Sequence, residues 1–532
     1  MEPVAIIGLA HRFPGGANTS ALLWGVLTSG RDLSQEPDPS RLNLAKFHAT
    51  SSDRHGSTSV AKAYFLSEDP SRFDAAFFGI SPLEAEAMDP QQRLLLEAVY
   101  EAAERAGLAL SALRGPRCSV YVGAMTADYA ELQLKDTEDL STCTASGASR
   151  AVLANRVSHF FDLHSPSVSL DTARSSSLVA LHLAVQDLRR RADGGGTSDM
   201  AVVAGVNLVF GPDVFITESK LQMLSPTGAS KMWDAGADGY ARGEGVAALL
   251  LKPLSCALRD GDPIMGLIRG SGVNSDGRMP GITMPSATTQ TTLIQETYRA
   301  AGPDPYKLED RCQYFEAHGT GTKAGDPVEA RGTFESFFQR NPSKRGRYGQ
   351  HPQQRDPSRP LLVGSIKTVI GHLEGCAGLA GVTKVLTAMQ RGTIPPNLHL
   401  NRLNPEIEPL SDLLQVPTKS QPRPQPPPGC PKRASVNGFG FGGTNGHVIL
   451  ESYEGAPPAG LACESKRKYE PLTAPVVLSA SSQTSLVKQT EQLAEYARQR
   501  PGLNFRDLAW TLQKRGSELG IFSSIYPGRP AG

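Results

Sequence analysis

Four segments of this 532-residue chain pair reactive side chains with small residues that let a backbone close around a ligand. Asp171-Thr172-Ala173-Arg174-Ser175-Ser176-Ser177 follows an apolar run and precedes a helical pattern of Leu178, Leu181, Ala184 and Leu188. This strand, tight turn and helix puts residue 174 near a helix N-terminus, where backbone N–H groups converge. Glu316-Ala317-His318-Gly319-Thr320-Gly321-Thr322 ends a strand in a histidine, followed by two glycine-spaced hydroxyls. Lys367-Thr368-Val369-Ile370-Gly371-His372-Leu373-Glu374 carries a second histidine into a small-residue helix. Asn437 to His447 is glycine-rich and can bring backbone donors against a ligand. The chemistry on offer is proton handling by imidazoles and stabilisation of negative charge by amides. Each segment alone is a weak signal, since a single buried histidine is usually structural. Their order and spacing together are specific.

The elements that must hold these segments alternate. Apolar, β-branched runs at Val4–Ile7, Ser119–Val122, Ala201–Val209, Ala247–Leu251, Leu361–Val363 and Val448–Leu450 predict strands, with helical patterns between them. Several runs are continuously apolar, as in strands buried on both faces, so the fold class is α/β. Asp89-Pro90 predicts a capped helix start ahead of Leu94, Leu95, Ala98, Val99 and Ala102. Residues 340–359 read as a basic surface loop. Residues 417–431, with seven prolines, read as a semi-rigid connector. Residues 453–473 read as a flexible boundary. One strand (Pro475–Leu478) and two helices (Ser482–Gln499, Asn504–Lys514) are predicted beyond it, and residues 520–532 have no assignable pattern.

The formal charge of +1 gives no electrostatic case for nucleic acid or an anionic membrane. No run approaches the roughly 20 apolar residues of a membrane span. The start Met1-Glu2-Pro3-Val4 carries an acid where a signal peptide wants a base. Seven scattered cysteines without a CxxC argue against a disulfide scaffold or a zinc site. The expectation is a cytoplasmic protein with reduced thiols, no bound cofactor and no metal.

At these motifs the sequence resembles the β-ketoacyl synthase (ketosynthase) region of type I polyketide synthases, most closely the fungal highly reducing kind. Further matching segments are Ile6-Ile7-Gly8, Arg12 to Gly15, Phe77 to Ser81, Met88 to Arg93, Met223 to Pro226, Asp238 to Val246 and Gly281 to Pro285. The resemblance runs from Glu2 to Glu451, and residues 474–515 resemble the linker that leads to an acyltransferase. It implies a thiolase-like five-layer αβαβα fold and a homodimer. Residues 1–255 are then the nucleophile-bearing half and 256–452 the half with both histidines. Residues 474–519 are a partial linker and 520–532 a tail.

The same resemblance implies a mechanism. An acyl chain passes from carrier-protein phosphopantetheine to a cysteine thiolate. His318 and His372, supported by Lys367 and Glu374, promote decarboxylation of a malonyl thioester. The new carbanion attacks the acyl group, whose oxyanion rests on backbone amides of residue 174 and Phe441. Thr320, Thr322 and Asn445 match substrate-contacting positions.

The family motif DTACSSS reads DTARSSS here, with Arg174 at the nucleophile position. A guanidinium stays protonated, offers donors only and fills space an acyl thioester needs. A cation at a helix N-terminus is also unfavourable by roughly 0.3–1 kcal/mol and depresses neighbouring histidines. Elongation through an acyl-cysteine is therefore expected to be lost. Cys376, four residues past His372, reads as a packed core residue rather than a surrogate nucleophile. Val369, Ser165, Gly446 and His11 also depart from the family pattern, and Ser165 replaces a glycine whose backbone can require φ > 0.

Three functions follow as expectations. The first is a truncated, non-elongating ketosynthase of polyketide biosynthesis. The second is a malonyl-thioester decarboxylase using the two histidines. The third is an active synthase, altered or misrecorded at codon 174, working with a carrier protein and acyltransferase supplied in trans.

Overall fold

The computed structural model describes residues 1–50, 54–115, 117–190, 198–339, 356–455 and 475–525. The first strands are β1 (Val4–Arg12), β2 (Cys118–Ala124), β3 (Ser167–Leu170), β4 (Met200–Asn207), β5 (Gly245–Pro253), β6 (Gly266–Ser275), β7 (Tyr314–Glu316) and β8 (Leu361–Gly364). They continue with β9 (Thr393–Ile394), β10 (Leu414–Gln415), β11 (Gln421–Pro422), β12 (Arg433–Phe439), β13 (Thr444–Glu451), β14 (Val476–Ala480) and β15 (Ile521–Ile525). Among the described residues eleven strands join in the order β10-β8-β7-β12-β13-β6-β1-β5-β4-β2-β3. The six predicted strands of residues 1–452 are present, and the seventh, predicted at Pro475–Leu478, is β14. β2 and β4 are buried at every position, as their unbroken apolar runs require.

Two helices that touch each other, Ser176–Arg190 and Ala377–Arg391, form the middle layer. Leu178, Leu181, Val185, Leu379, Val382 and Leu386 join residues of both halves of the sheet in one core. Helix Pro90–Arg105 covers the outer face of β1 and β5 through a second core. Its start is capped as predicted, the Asp89 carboxylate accepting the Gln91 N–H at 2.8 Å. Helices Ala287–Ala301 and Gly325–Phe338 cover the other half through a third core. Helix, sheet, helix, sheet and helix thus stack as the expected thiolase-like five layers.

Two expectations change, at Ser165 and at the tail. Ser165 does not adopt a left-handed backbone; Asp162, closing helix Val152–Phe161, takes it instead at φ 53°. Ile521–Ile525, left without an assignment, pairs antiparallel with β14, its alternation masked by Ser523 and Ser524. The proline-rich connector is fastened by β11, which pairs with β9. Residues 340–355, 456–473 and 526–532 of the predicted loop, boundary and tail lie outside the described residues. Among the described residues no helix is long and apolar enough to cross a membrane.

Candidate active site

Helix Ser176–Arg190 begins two residues after Arg174, and the turn before it is held in a left-handed conformation at Ala173, φ 55°. Strain of this kind costs about 1–3 kcal/mol and persists only where its surroundings enforce it. Here the Asp171 carboxylate accepts the Ala173 N–H at 2.8 Å, and the Ser176 hydroxyl accepts the Thr172 N–H at 2.9 Å. The β12–β13 hairpin closes over the turn. A Cβ on Gly440 would lie 2.5 Å from the Thr172 carbonyl oxygen, so only glycine permits that approach.

The Arg174 side chain is 3% exposed. Its Nη2 donates to Glu218 Oε1 at 2.7 Å and to the Tyr240 hydroxyl oxygen at 2.8 Å. The guanidinium carbon stands 4.7 Å from the ring centres of both Tyr240 and Phe441. The unfavourable cation expected at a helix start is thus offset by a carboxylate and two aromatic faces. Burial pushes the Glu218 carboxyl toward its neutral form, and the Arg174 charge opposes that shift. Nothing in the sequence motifs pointed to Glu218. Tyr240 lies in the matching segment Asp238 to Val246, but only the fold reveals its contact with residue 174.

The two imidazoles meet edge to face, with ring centres 5.3 Å apart. His318 Nδ1 accepts the Phe439 N–H at 3.3 Å, and His372 Nδ1 accepts the Glu374 N–H at 2.9 Å. Burial holds both rings well below the usual histidine range, with the Lys367 and Arg174 cations pushing the same way. A neutral ring that accepts at Nδ1 carries its proton on Nε2. Imidazole nitrogen NMR is therefore expected to show both as neutral Nε2–H tautomers from pH 6 to 8. A doubly protonated ring at pH 6.5 would contradict this.

Behind the histidines lies a buried charge network. Arg242 donates to both Glu374 oxygens, at 2.8 and 3.0 Å, with neither side chain exposed. Glu374 therefore supports His372 through its backbone while its carboxylate serves Arg242. Arg242→Met leaves that carboxylate buried without its cation and is expected to destabilise the fold by about 3–5 kcal/mol. A loss under about 1 kcal/mol in urea unfolding would contradict the assignment. Glu329, absent from the motifs, accepts the His318 and Gly319 N–H groups at 2.7 and 2.8 Å and the Asn437 amide at 3.0 Å. It fixes the strand end that aims His318. Burial pushes Lys367 down to about 8, against the pull of Glu316 and Glu329.

A cavity of about 440 Å³ opens over these groups, walled by Arg174, His318, Thr320, Thr322, Phe441 and Asn445 among others. His372, Lys367 and Glu374 do not line it; beside His372 the wall is formed by Arg174, Tyr240 and His318. The Asn445 amide nitrogen donates to Asp276 at 2.9 Å, and its carbonyl oxygen is buried without a partner. Thr320 and Thr322 hydroxyls lie 3.1 Å apart. Cys376 is fully buried, off the cavity wall, and burial raises its thiol. It is a core residue, as expected.

Fold and site together define a ketosynthase, and the sequence comparisons agree. The β-ketoacyl synthase N-terminal domain family matches residues 1–257, the β-ketoacyl synthase C-terminal domain 265–401, and the ketoacyl-synthetase C-terminal extension 404–519. The chain belongs to the β-ketoacyl synthase family. It is 53% identical over 519 residues to the hybrid PKS-NRPS synthetase iliA of Neonectria sp. (strain DH2), covering 97% of this chain. It is 51% identical to the tenellin synthetase of Beauveria bassiana over 98% of this chain. The chain spans only 12% of the length of each of these relatives. Among solved structures, the ketosynthase from module 6 of the bacillaene synthase of Bacillus subtilis 168 superposes with a TM-score of 0.83 at 33% identity, covering 99% of this chain and 83% of that one. The oxazolomycin ketosynthase domain OzmH KS7 of Streptomyces albus JA3453 gives 0.84 at 33% identity, over 97% and 84%.

Proposed function

We propose that this chain is a ketosynthase domain of a fungal polyketide-synthase-like protein that cannot form the acyl-enzyme on which elongation depends. One observation carries the reading: at the strained elbow, where the family's thiol stands, a guanidinium is buried and paired with Glu218. It has no lone pair with which to attack a thioester, and its bulk lies between Tyr240 and Phe441.

The remaining wall is suited to substrates of the family. Thr320, Thr322 and the unpartnered Asn445 carbonyl oxygen suit the amide groups of a phosphopantetheine arm delivered by a carrier protein. A homodimer belongs to the same reading; β3 ends the sheet with Val168 exposed, an edge that a second copy can extend. The decarboxylase alternative is less supported. It needs both imidazoles at the malonyl group, and the Arg174 guanidinium occupies the wall beside them.

The test is intact-protein mass spectrometry of the unaltered chain after incubation with a short acyl thioester. No mass increase is expected. A stoichiometric acyl adduct on any residue would overturn the reading.

A further inference from the structure

His447 closes the glycine-rich segment that begins at Asn437, but it does not line the cavity. Its side chain is fully buried, with the rings of Phe315 and Tyr298 each centred 6.2 Å from its own. Burial pushes it down to about 3, so near neutral pH the imidazole is uncharged and carries one proton. Nδ1 lies 2.7 Å from the Asn437 side-chain oxygen, directly across the β12–β13 pair, and Nε2 is buried without a partner.

The direction of that bond is set from its far end. Glu329 already accepts the N–H groups of His318 and Gly319, and it stands 3.0 Å from the Asn437 amide nitrogen. Turning the amide over would set two acceptor oxygens against each other away from water. Asn437 therefore donates to Glu329 and accepts from His447, whose proton sits on Nδ1. The bare Nε2 then leaves no buried N–H unpaired. This is the opposite tautomer to that of His318 and His372.

We infer that His447 is a positioning residue: its Nδ1–H, relayed by Asn437 and Glu329, holds the His318 ring in one orientation and one tautomer. Two routes converge on His318. Glu329 anchors its backbone N–H and the turn after it, where Gly319 is left-handed at φ 47°. Asn437 pins β12, which two residues further on supplies the Phe439 N–H to His318 Nδ1. That last bond is long, at 3.3 Å, so a small shift of β12 loses it. None of this depends on whether residue 174 takes up an acyl group.

Imidazole nitrogen NMR of the whole chain is the test, with signals assigned by replacing single histidines. In the unaltered protein at pH 7, His447 is expected as Nδ1–H and His318 as Nε2–H. His447→Phe keeps a ring but no donor. Loss of one hydrogen bond shifts a tautomer ratio by about tenfold, so His318 is then expected to show both tautomers. His447→Asn returns a donor to the Nδ1 position and is expected to restore the single Nε2–H form. His447 found as Nε2–H would overturn the proposal, as would an unchanged His318 in a cooperatively melting His447→Phe. Equal disturbance of His318 by Phe and Asn would also overturn it, since lost packing rather than the lost donor would then be the cause. If His447→Phe does not fold, the His447 tautomer in the unaltered protein and the His318 tautomer in His447→Asn decide, and the wrong form in either is fatal.

Discussion

Arg174→Cys is expected to turn a chain that takes up no acyl group into one acylated at residue 174, a gain on the order of 10³-fold or more in loading rate. The bonds that shape the elbow come from Asp171 and Ser176, so none depends on the arginine side chain. A thiol at that position inherits the helix N-terminus, which lowers its pKa and raises its thiolate fraction. Removing the guanidinium also clears the space between Tyr240 and Phe441 and takes one cation away from His318 and His372. Burial remains the main cause of their low pKa, so both rings stay neutral near pH 7. Peptide mapping of the acylated protein locates the adduct. A folded Arg174→Cys that remains unloaded would place further damage elsewhere, with Val369 and Gly446 the first positions to restore.

Glu218→Ala carries the second large effect. It strips a buried guanidinium of its only carboxylate partner among the described residues, while two of its nitrogens already lack acceptors. A loss of about 3–5 kcal/mol is expected, a drop of about 3–5 °C in Tm for a chain of this size. In the Arg174→Cys background the same change should be far milder. With the cation gone, burial drives the Glu218 carboxyl to its neutral form, and its removal then forfeits only modest packing and hydrogen bonding. The double-mutant cycle should show coupling of about 2 kcal/mol or more. Additivity within about 0.5 kcal/mol would mean that Arg174 and Glu218 do not stabilise each other.

Much of the architecture was readable because strands buried on both faces write unbroken apolar runs, as at Ala201–Val209 and Ala247–Leu251. The Asp89-Pro90 cap was readable because its bonds are local. The motif resemblance brought His318, Thr320, Thr322, Phe441 and Asn445 to the same wall as Arg174. What was not readable is long-range. Glu218 sits 44 residues from Arg174 on a separate helix, Asp213–Lys220, and no periodicity marks a carboxylate that waits for a distant cation. Glu329 is hidden the same way, its role set by backbone amides of another element. His372 meets Tyr240 edge to face with ring centres 5.1 Å apart, a contact that spacing does not encode. β15 is not legible in the sequence because its adjacent Ser523 and Ser524 interrupt the apolar signature that the main sheet carries.

On the proposed function, a single residue, Arg174, separates this site from a condensing enzyme. Its most direct test gives the unaltered chain and Arg174→Cys the same acyl thioester and a malonyl thioester on a carrier protein. The β-ketoacyl product is then measured by mass spectrometry. Product is expected from the cysteine variant alone. Product from the arginine chain, or none from a cysteine variant that has been shown to load, would contradict it.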